Sequence, residues 1–211
     1  MLPRRQPTDI KICVSGAAET SNCGPHAYEA AKELGREIAR QKAVVVTGAT
    51  TGFPLWAAIG AKEAGGQSIG FSPAASEREH IEAYHLPVDY MDLLVYTGFG
   101  YSGRDLILTR SSDAVLFGCG RVGTIHEFTI AFEDNKPIGI LQGDWMMDET
   151  LQLIIERSGR THAKVVFDTD PKKLVEKIIE LVKKDQREDL MTYSYRVDEG
   201  GETGVLGNMR G

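Results

Sequence analysis

Basic residues are in deficit in this chain: 24 Lys and Arg stand against 30 Asp and Glu in 211 residues, a formal charge of -6. Holding nucleic acid through a net field needs a surface that neutralises phosphates, so the overall charge argues against a nucleic-acid partner. No apolar run approaches the ~20 residues of a membrane span. The opening Met-Leu-Pro-Arg-Arg-Gln-Pro has no apolar stretch of signal-peptide length behind it. The expectation is a soluble, cytoplasmic protein with no membrane partner. Cysteine is scarce and odd in number. Cys13, Cys23 and Cys119 have no metal-ligand spacing and imply no disulfide framework, so reduced thiols are expected. His26, His80, His85, His126 and His162 also lack zinc spacing, and neither a metal nor a cofactor is implied.

What is present is enough apolar material for one core: 42% of the residues are hydrophobic and 26% charged. Continuous apolar runs at 10–14, 43–46, 68–71, 93–96, 114–117, 137–141 and 164–167 read as strands. Helical patterns separate them. Pro25 stands where a helix N1 proline would, ahead of Tyr28, Ala31, Leu34 and Ile38 at helical spacing. Further helices are expected over 55–64, 77–84, 102–111, 124–133 and 148–158. A last one has Asp170 as N-cap, Pro171 at N1 and Leu174, Val175, Ile178, Ile179 and Val182 on one face, ending at Lys183-Lys184. Alternation of this kind predicts an α/β protein, a three-layer, Rossmann-like, doubly wound parallel sheet of about six or seven strands. One domain is expected over 1–185, followed by a polar, glycine-rich, flexible tail over 186–211.

Two copies of G-x-G-x-x-G lie twenty residues apart, at Gly98-Phe-Gly100-Tyr-Ser-Gly103 and Gly118-Cys-Gly120-Arg-Val-Gly123. Each follows a strand-like run and opens a helix, where free N–H groups and the helix dipole favour an anion, phosphate above all. Earlier strands also end in small residues, at Ser15-Gly16 and at Gly48 with Gly52. In open α/β sheets ligands bind beyond the carboxyl ends of strands at the point where strand order reverses, so these loops are expected to surround one crevice. A dinucleotide fingerprint would follow the first strand, and Ser15-Gly16-Ala17-Ala18 lacks its spacing, although Asp144 stands about twenty residues beyond Gly123, at ribose-binding separation.

Arg104 and Arg121 adjoin these loops, and guanidinium binds carboxylate or phosphate bidentately. Arg110 reads as a solvated helix position or structural ion pair. Two readings stay open for Glu127. Thr124-x-x-Glu127 is a capping box by spacing, as is Ser102-x-x-Asp105, yet Glu127 also puts a carboxylate beside the loop. His126 reads as exposed or packing, and Cys119 as a small filler or an activated thiol.

Arg104, Ser112-Asp113-Ala114 and Gly120-Arg-Val-Gly123-Thr124-Ile-His-Glu127 together resemble the signature of the Lonely Guy family, long labelled lysine decarboxylases, over roughly residues 10 to 184. The wider superfamily includes molybdenum cofactor carriers. The resemblance implies hydrolysis of the N-glycosidic bond of nucleoside 5′-monophosphates, giving free base and ribose 5-phosphate. It implies catalytic roles for Arg104 and Glu127 and a 5′-phosphate held by Gly120, Gly123 and Thr124; the strand-end loops themselves add Ser15, Gly16, Gly48, Gly52, Gly100, Gly118 and Arg121 as candidate binding residues for a small phosphate-bearing ligand. A homodimer or higher homo-oligomer is also implied. The chain departs from the signature at Cys119, which replaces a proline, at Arg121, which replaces a glycine, and at Asp105, where the enzymes carry lysine. Retention of Arg104 and Glu127 supports the enzyme; the departures support the alternative of a non-catalytic nucleotide or molybdenum-cofactor-type carrier or sensor, and a scaffold with a vestigial site is a third reading.

Overall fold

The apolar runs form strands close to where their composition predicts. A computed structural model describes residues 9–160 and 164–199. Its strands are β1 (Lys11–Ser15), β2 (Val44–Thr47), β3 (Ser68–Ser72), β4 (Leu93–Tyr96), β5 (Ala114–Phe117), β6 (Ile138–Leu141) and β7 (Val165–Asp168). The intervening helices are α1 (Ala27–Arg40), α2 (Phe53–Glu63), α3 (Glu77–Glu82), α4 (Gly100–Ser111), α5 (Val122–Glu133), α6 (Met147–Arg157) and α7 (Pro171–Glu199).

The seven strands make one sheet in the order β4-β3-β2-β1-β5-β6-β7, and every pairing is parallel. Strand β1 lies mid-sheet, with Lys11 opposite Val44 of β2 and Ile12 opposite Ala114 of β5. The chain builds outward from β1 to β4, then returns to β5 and builds the other way. With right-handed crossovers, that reversal puts α4 and α5 on the face opposite α1 and α2, the three-layer doubly wound architecture. Helix α1 packs on α2 and α7, and α4 packs on α5. Every residue of β2, β5 and β6 is buried, because both faces of the central sheet are covered.

Local signals set most boundaries. Ser76 caps α3 by accepting Glu79 N–H, and Asp170 Oδ1 accepts the N–H groups of Lys172 and Lys173 ahead of α7, with Pro171 at N1. Two boundaries differ from expectation. Helix α1 begins at Ala27 with His26 as its cap, so Pro25 precedes the helix. Helix α7 does not stop at Lys183-Lys184 but runs to Glu199, so residues 186–199 of the expected tail are helical. No Gly or Pro interrupts 172–199, and Gly200 is the first breaker. Residues 1–8 and 200–211, at the ends of the sequence read above, lie outside the described residues.

Candidate functional site

The strand-order reversal beside β1 leaves a crevice at the carboxyl ends of β1, β2 and β5, and it contains a cavity of about 280 Å³. That volume sits at the small end of ligand pockets. Ser15, Gly16 and Gly48 line it from the sheet side, Tyr101, Arg104 and Asp105 from α4, and Arg121, Gly123, Thr124 and Glu127 from α5 and its approach. Ala18 and Glu19 form a further wall.

The α4 side chains are placed by a close approach to the β2 loop. A Cβ on Gly48 would stand 1.4 Å from Arg104 Nη1, so the guanidinium occupies the space that a side chain there would fill. Arg104 is only 6% exposed, and its guanidinium carbon lies 5.8 Å from the Tyr101 ring centroid, within cation–π range. Its Nε is 3.1 Å from Asp105 Oδ1, but the alignment is poor and this buried N–H makes no hydrogen bond. Asp105 turns its other oxygen to His126, whose Nδ1 is 2.9 Å from Oδ2. His126 is therefore partnered across α4 and α5 rather than merely exposed.

Helix α5 begins at Val122 with Arg121 as its cap, two residues earlier than expected. Thr124 is thus inside the first turn, where its Oγ1 accepts the Arg121 N–H at 3.2 Å. This displaces the expected capping box: Glu127 does not cap Thr124, and its Oε2 accepts a hydrogen bond from Ser15 Oγ across the crevice. Ser102 does not cap α4 either, since that helix starts at Gly100 and Asp105 is buried beside Arg104, paired with the partly exposed His126.

Burial pushes the Glu127 carboxyl up to about 7; the Arg104 charge opposes that rise, while neighbouring Asp105 adds to it. At neutral pH the carboxyl is poised between its acid and base forms. Burial, with the nearby Glu127 charge adding to it, also lifts the Cys13 thiol well above its ordinary value, so that thiol stays neutral. The exposed Arg121 pairs with Glu19 at 3.1 Å, and Arg110 forms a two-pronged ion pair with Asp134, the structural role expected of it.

Of the residues expected at the site, Ser15, Gly16, Gly48, Arg104, Arg121, Gly123, Thr124 and Glu127 meet around the cavity. Gly52, Gly100, Gly118 and Gly120 do not line it. Gly52 caps α2, Gly100 opens α4, Gly118 packs on Phe53, and Gly120 lies against Thr124. Asp144 is also outside, 3.9 Å from His26. Sequence reading missed Asp105, Tyr101 and Glu19 as lining residues. Tyr101 had a signal, being inside the first glycine pattern, whereas Glu19 had none beyond following a strand end.

The expectation of three reduced thiols is overturned: Cys23 and Cys119 are joined in a disulfide, leaving Cys13 buried and free. The fold brings the loop after β1 and the loop after β5 side by side, a proximity that spacing of 96 residues does not reveal. Among the described residues, no three His, Cys, Asp or Glu side chains are grouped to hold a metal ion, and no helix is long and apolar enough to cross a membrane.

Comparison with known proteins agrees with this architecture. The model of the SLOG cluster4 family matches residues 9–175. An uncharacterized protein of Archaeoglobus fulgidus is 31% identical over 133 residues, which are 63% of this chain and 80% of that protein. The molybdenum cofactor binding protein from the phototrophic bacterium Rippkaea orientalis superposes with a TM-score of 0.67 at 29% identity, over 85% of this chain and 98% of that one. The molybdenum cofactor carrier protein of Chlamydomonas reinhardtii gives 0.67 at 25% identity, over 83% and 99%.

Proposed function

The chain belongs to the SLOG cluster4 family, and from that premise we propose that it binds a small phosphate-bearing ligand, a nucleotide or a molybdenum-cofactor-type group, in the crevice beside β1. One observation carries the reading: a buried arginine with an unpaired N–H lines the same small cavity as the open first turn of α5. Asp105 meets part of that charge without bonding the N–H, and a guanidinium N–H buried without a hydrogen bond is costly, so an anion at the helix N-terminus would supply the missing partner. Likeness to a molybdenum cofactor binding protein and to a molybdenum cofactor carrier protein supports a binding role. Asp105 supports it too, since it offsets the Arg104 charge where the related enzymes carry a second cation.

Titration with AMP and other nucleoside 5′-monophosphates tests this. Saturable binding is expected, weakened about 10- to 100-fold by Arg104→Ala, the worth of one charge-assisted contact. Failure of every phosphate-bearing ligand to bind, or indifference to Arg104→Ala, overturns the proposal.

A second reading, phosphoribohydrolase activity, is favoured by Glu127. A buried carboxyl with a pKa near 7 is suited to take a proton from a water attacking the ribose C1′ as the C–N bond to the base breaks. Free base and ribose 5-phosphate, followed by chromatography, would then appear in the wild type and vanish in Glu127→Gln. Binding with no release leaves the carrier reading.

A further inference from the structure

Ala18 and Glu19 wall one side of the cavity, and little holds them or the residues 20–26 that lead from them to α1. Within that stretch Cys23 is the one buried residue, 1% exposed, and its sulfur is bonded to Cys119, 3% exposed. The other fastenings are slight. Thr51 Oγ1 donates to Ala18 O at 3.0 Å, while the Glu19–Arg121 pair and the 3.9 Å His26–Asp144 approach each join two side chains more than half exposed, a kind of contact worth about 0–1 kcal/mol. Ala17, by contrast, is fixed without the sulfurs: its N–H donates to Cys119 O at 2.8 Å and its carbonyl accepts from Phe53 N at 2.9 Å. The disulfide is thus the main anchor of the wall beyond Ala17, and its other end sits two residues before Arg121, the cap of α5.

We infer that the Cys23–Cys119 pair is a thiol-sensitive clasp on the ligand site, whose reduction frees residues 18–26 and speeds ligand exchange. This rests on reading the cavity as a phosphate-ligand site. Regulation of that kind suits a binding protein that must retain its ligand in one redox setting and surrender it in another. The chemistry is a two-electron exchange with a dithiol. One dithiol sulfur attacks a sulfur of the pair, the protein S–S bond breaks and a mixed disulfide forms. The second dithiol sulfur then closes the reductant's own disulfide, and Cys23 and Cys119 leave as thiols carrying the two protons the dithiol lost. Glu19 loses its tether with them, and its carboxylate no longer holds Arg121.

The test compares air-oxidised and dithiothreitol-treated wild-type protein in three measurements: thiol count by alkylation and mass spectrometry, amide hydrogen exchange, and AMP release by stopped flow. Reduction is expected to add two thiols, to remove exchange protection from 18–26 while the sheet keeps its own, and to speed AMP release about ten-fold or more. The double variant Cys23→Ser, Cys119→Ser should release AMP at the faster rate with or without reductant. The wild-type comparison stands even if that variant misfolds. Equal release rates in the two states overturn the clasp while leaving the ligand site intact. Three free thiols in the oxidised protein overturn it as well, as does sheet protection lost together with that of 18–26. AMP bound in neither state, with 18–26 loosened on reduction, sinks the ligand reading and the gate with it.

Discussion

The two glycine-rich loops share one pattern in sequence and do different work. After β4, Gly98 and Gly100 hold φ of +70° and +63°, a left-handed backbone that makes the turn into α4, and a Cβ on Gly100 would meet nothing within 4 Å. After β5, Gly118 and Gly120 have no such φ; they are small because neighbours press on them. A Cβ on Gly118 would stand 2.1 Å from the Phe53 ring, and one on Gly120 2.5 Å from the Thr124 side chain. The first loop steers a helix, and that helix carries Arg104 and Asp105 to the site. The second is itself part of the cavity wall. A glycine motif therefore reports a tight geometry, and only its surroundings tell whether the geometry serves a turn, a packing contact or a ligand.

The strongest way to sharpen this contrast is through Glu127, the carboxyl that the second loop's helix brings against Asp105 from the first's. Its folded pKa, near 7, is above the ordinary 4.5, so the native state keeps its proton while the unfolded chain loses it. Its stabilising contribution is fully present below pH 4.5 and is lost as pH rises through 7, a change on the order of 3 kcal/mol. Urea unfolding between pH 4.5 and 8 should show that decline in the wild type and not in Glu127→Gln. Parallel curves would mean that the carboxyl is not buried against Asp105 as described.

Next comes the packing glycine. Gly118→Ala must move the Phe53 ring and is expected to destabilise by about 1–3 kcal/mol. Gly100→Ala has open space around it and carries only the backbone penalty of positive φ, about 1 kcal/mol. Thermal melts that rank the two the other way would break the distinction between the loops.

The smallest effect on stability belongs to Gly123. It lines the cavity in the first turn of α5, its φ is ordinary, and a Cβ there would touch nothing within 4 Å. The fold has no evident need of glycine at this position, where alanine is the better helix former by up to about 1 kcal/mol. Gly123→Ala should leave the melting temperature unchanged or slightly raised and weaken AMP binding several-fold. Undiminished binding would show that the ligand does not approach this turn.

Most of the fold was legible because its signals are local. Apolar runs marked β2, β5 and β6, and Asp170 with Pro171 marked the start of α7. The end of α7 was misjudged because two lysines imitate a helix terminus, while the absence of Gly and Pro before Gly200 was the truer signal. At the site, Arg104, Thr124 and Glu127 could be picked out by their positions beside the loops. Their partners could not. Thr-x-x-Glu spacing fits a capping box and a buried Glu127 equally well, and only the arrival of Ser15 from β1 decides between them. Asp105 meets His126, and Cys23 meets Cys119, through the packing of α4 on α5 and the adjacency of β1 and β5, which no spacing encodes.

The pairing of β1 with β5 has a consequence for how the molecule is made. Ile12 must find Ala114 across 102 residues, and parallel pairings over such spans are slow to form because the loop entropy is spent before any contact rewards it. Ser15 and Glu127 lie on opposite sides of that seam. A chain that has emerged only as far as β4 has Ser15 but lacks α4, β5 and α5, so it holds no crevice: the cavity comes into existence with the closing of the sheet's central seam.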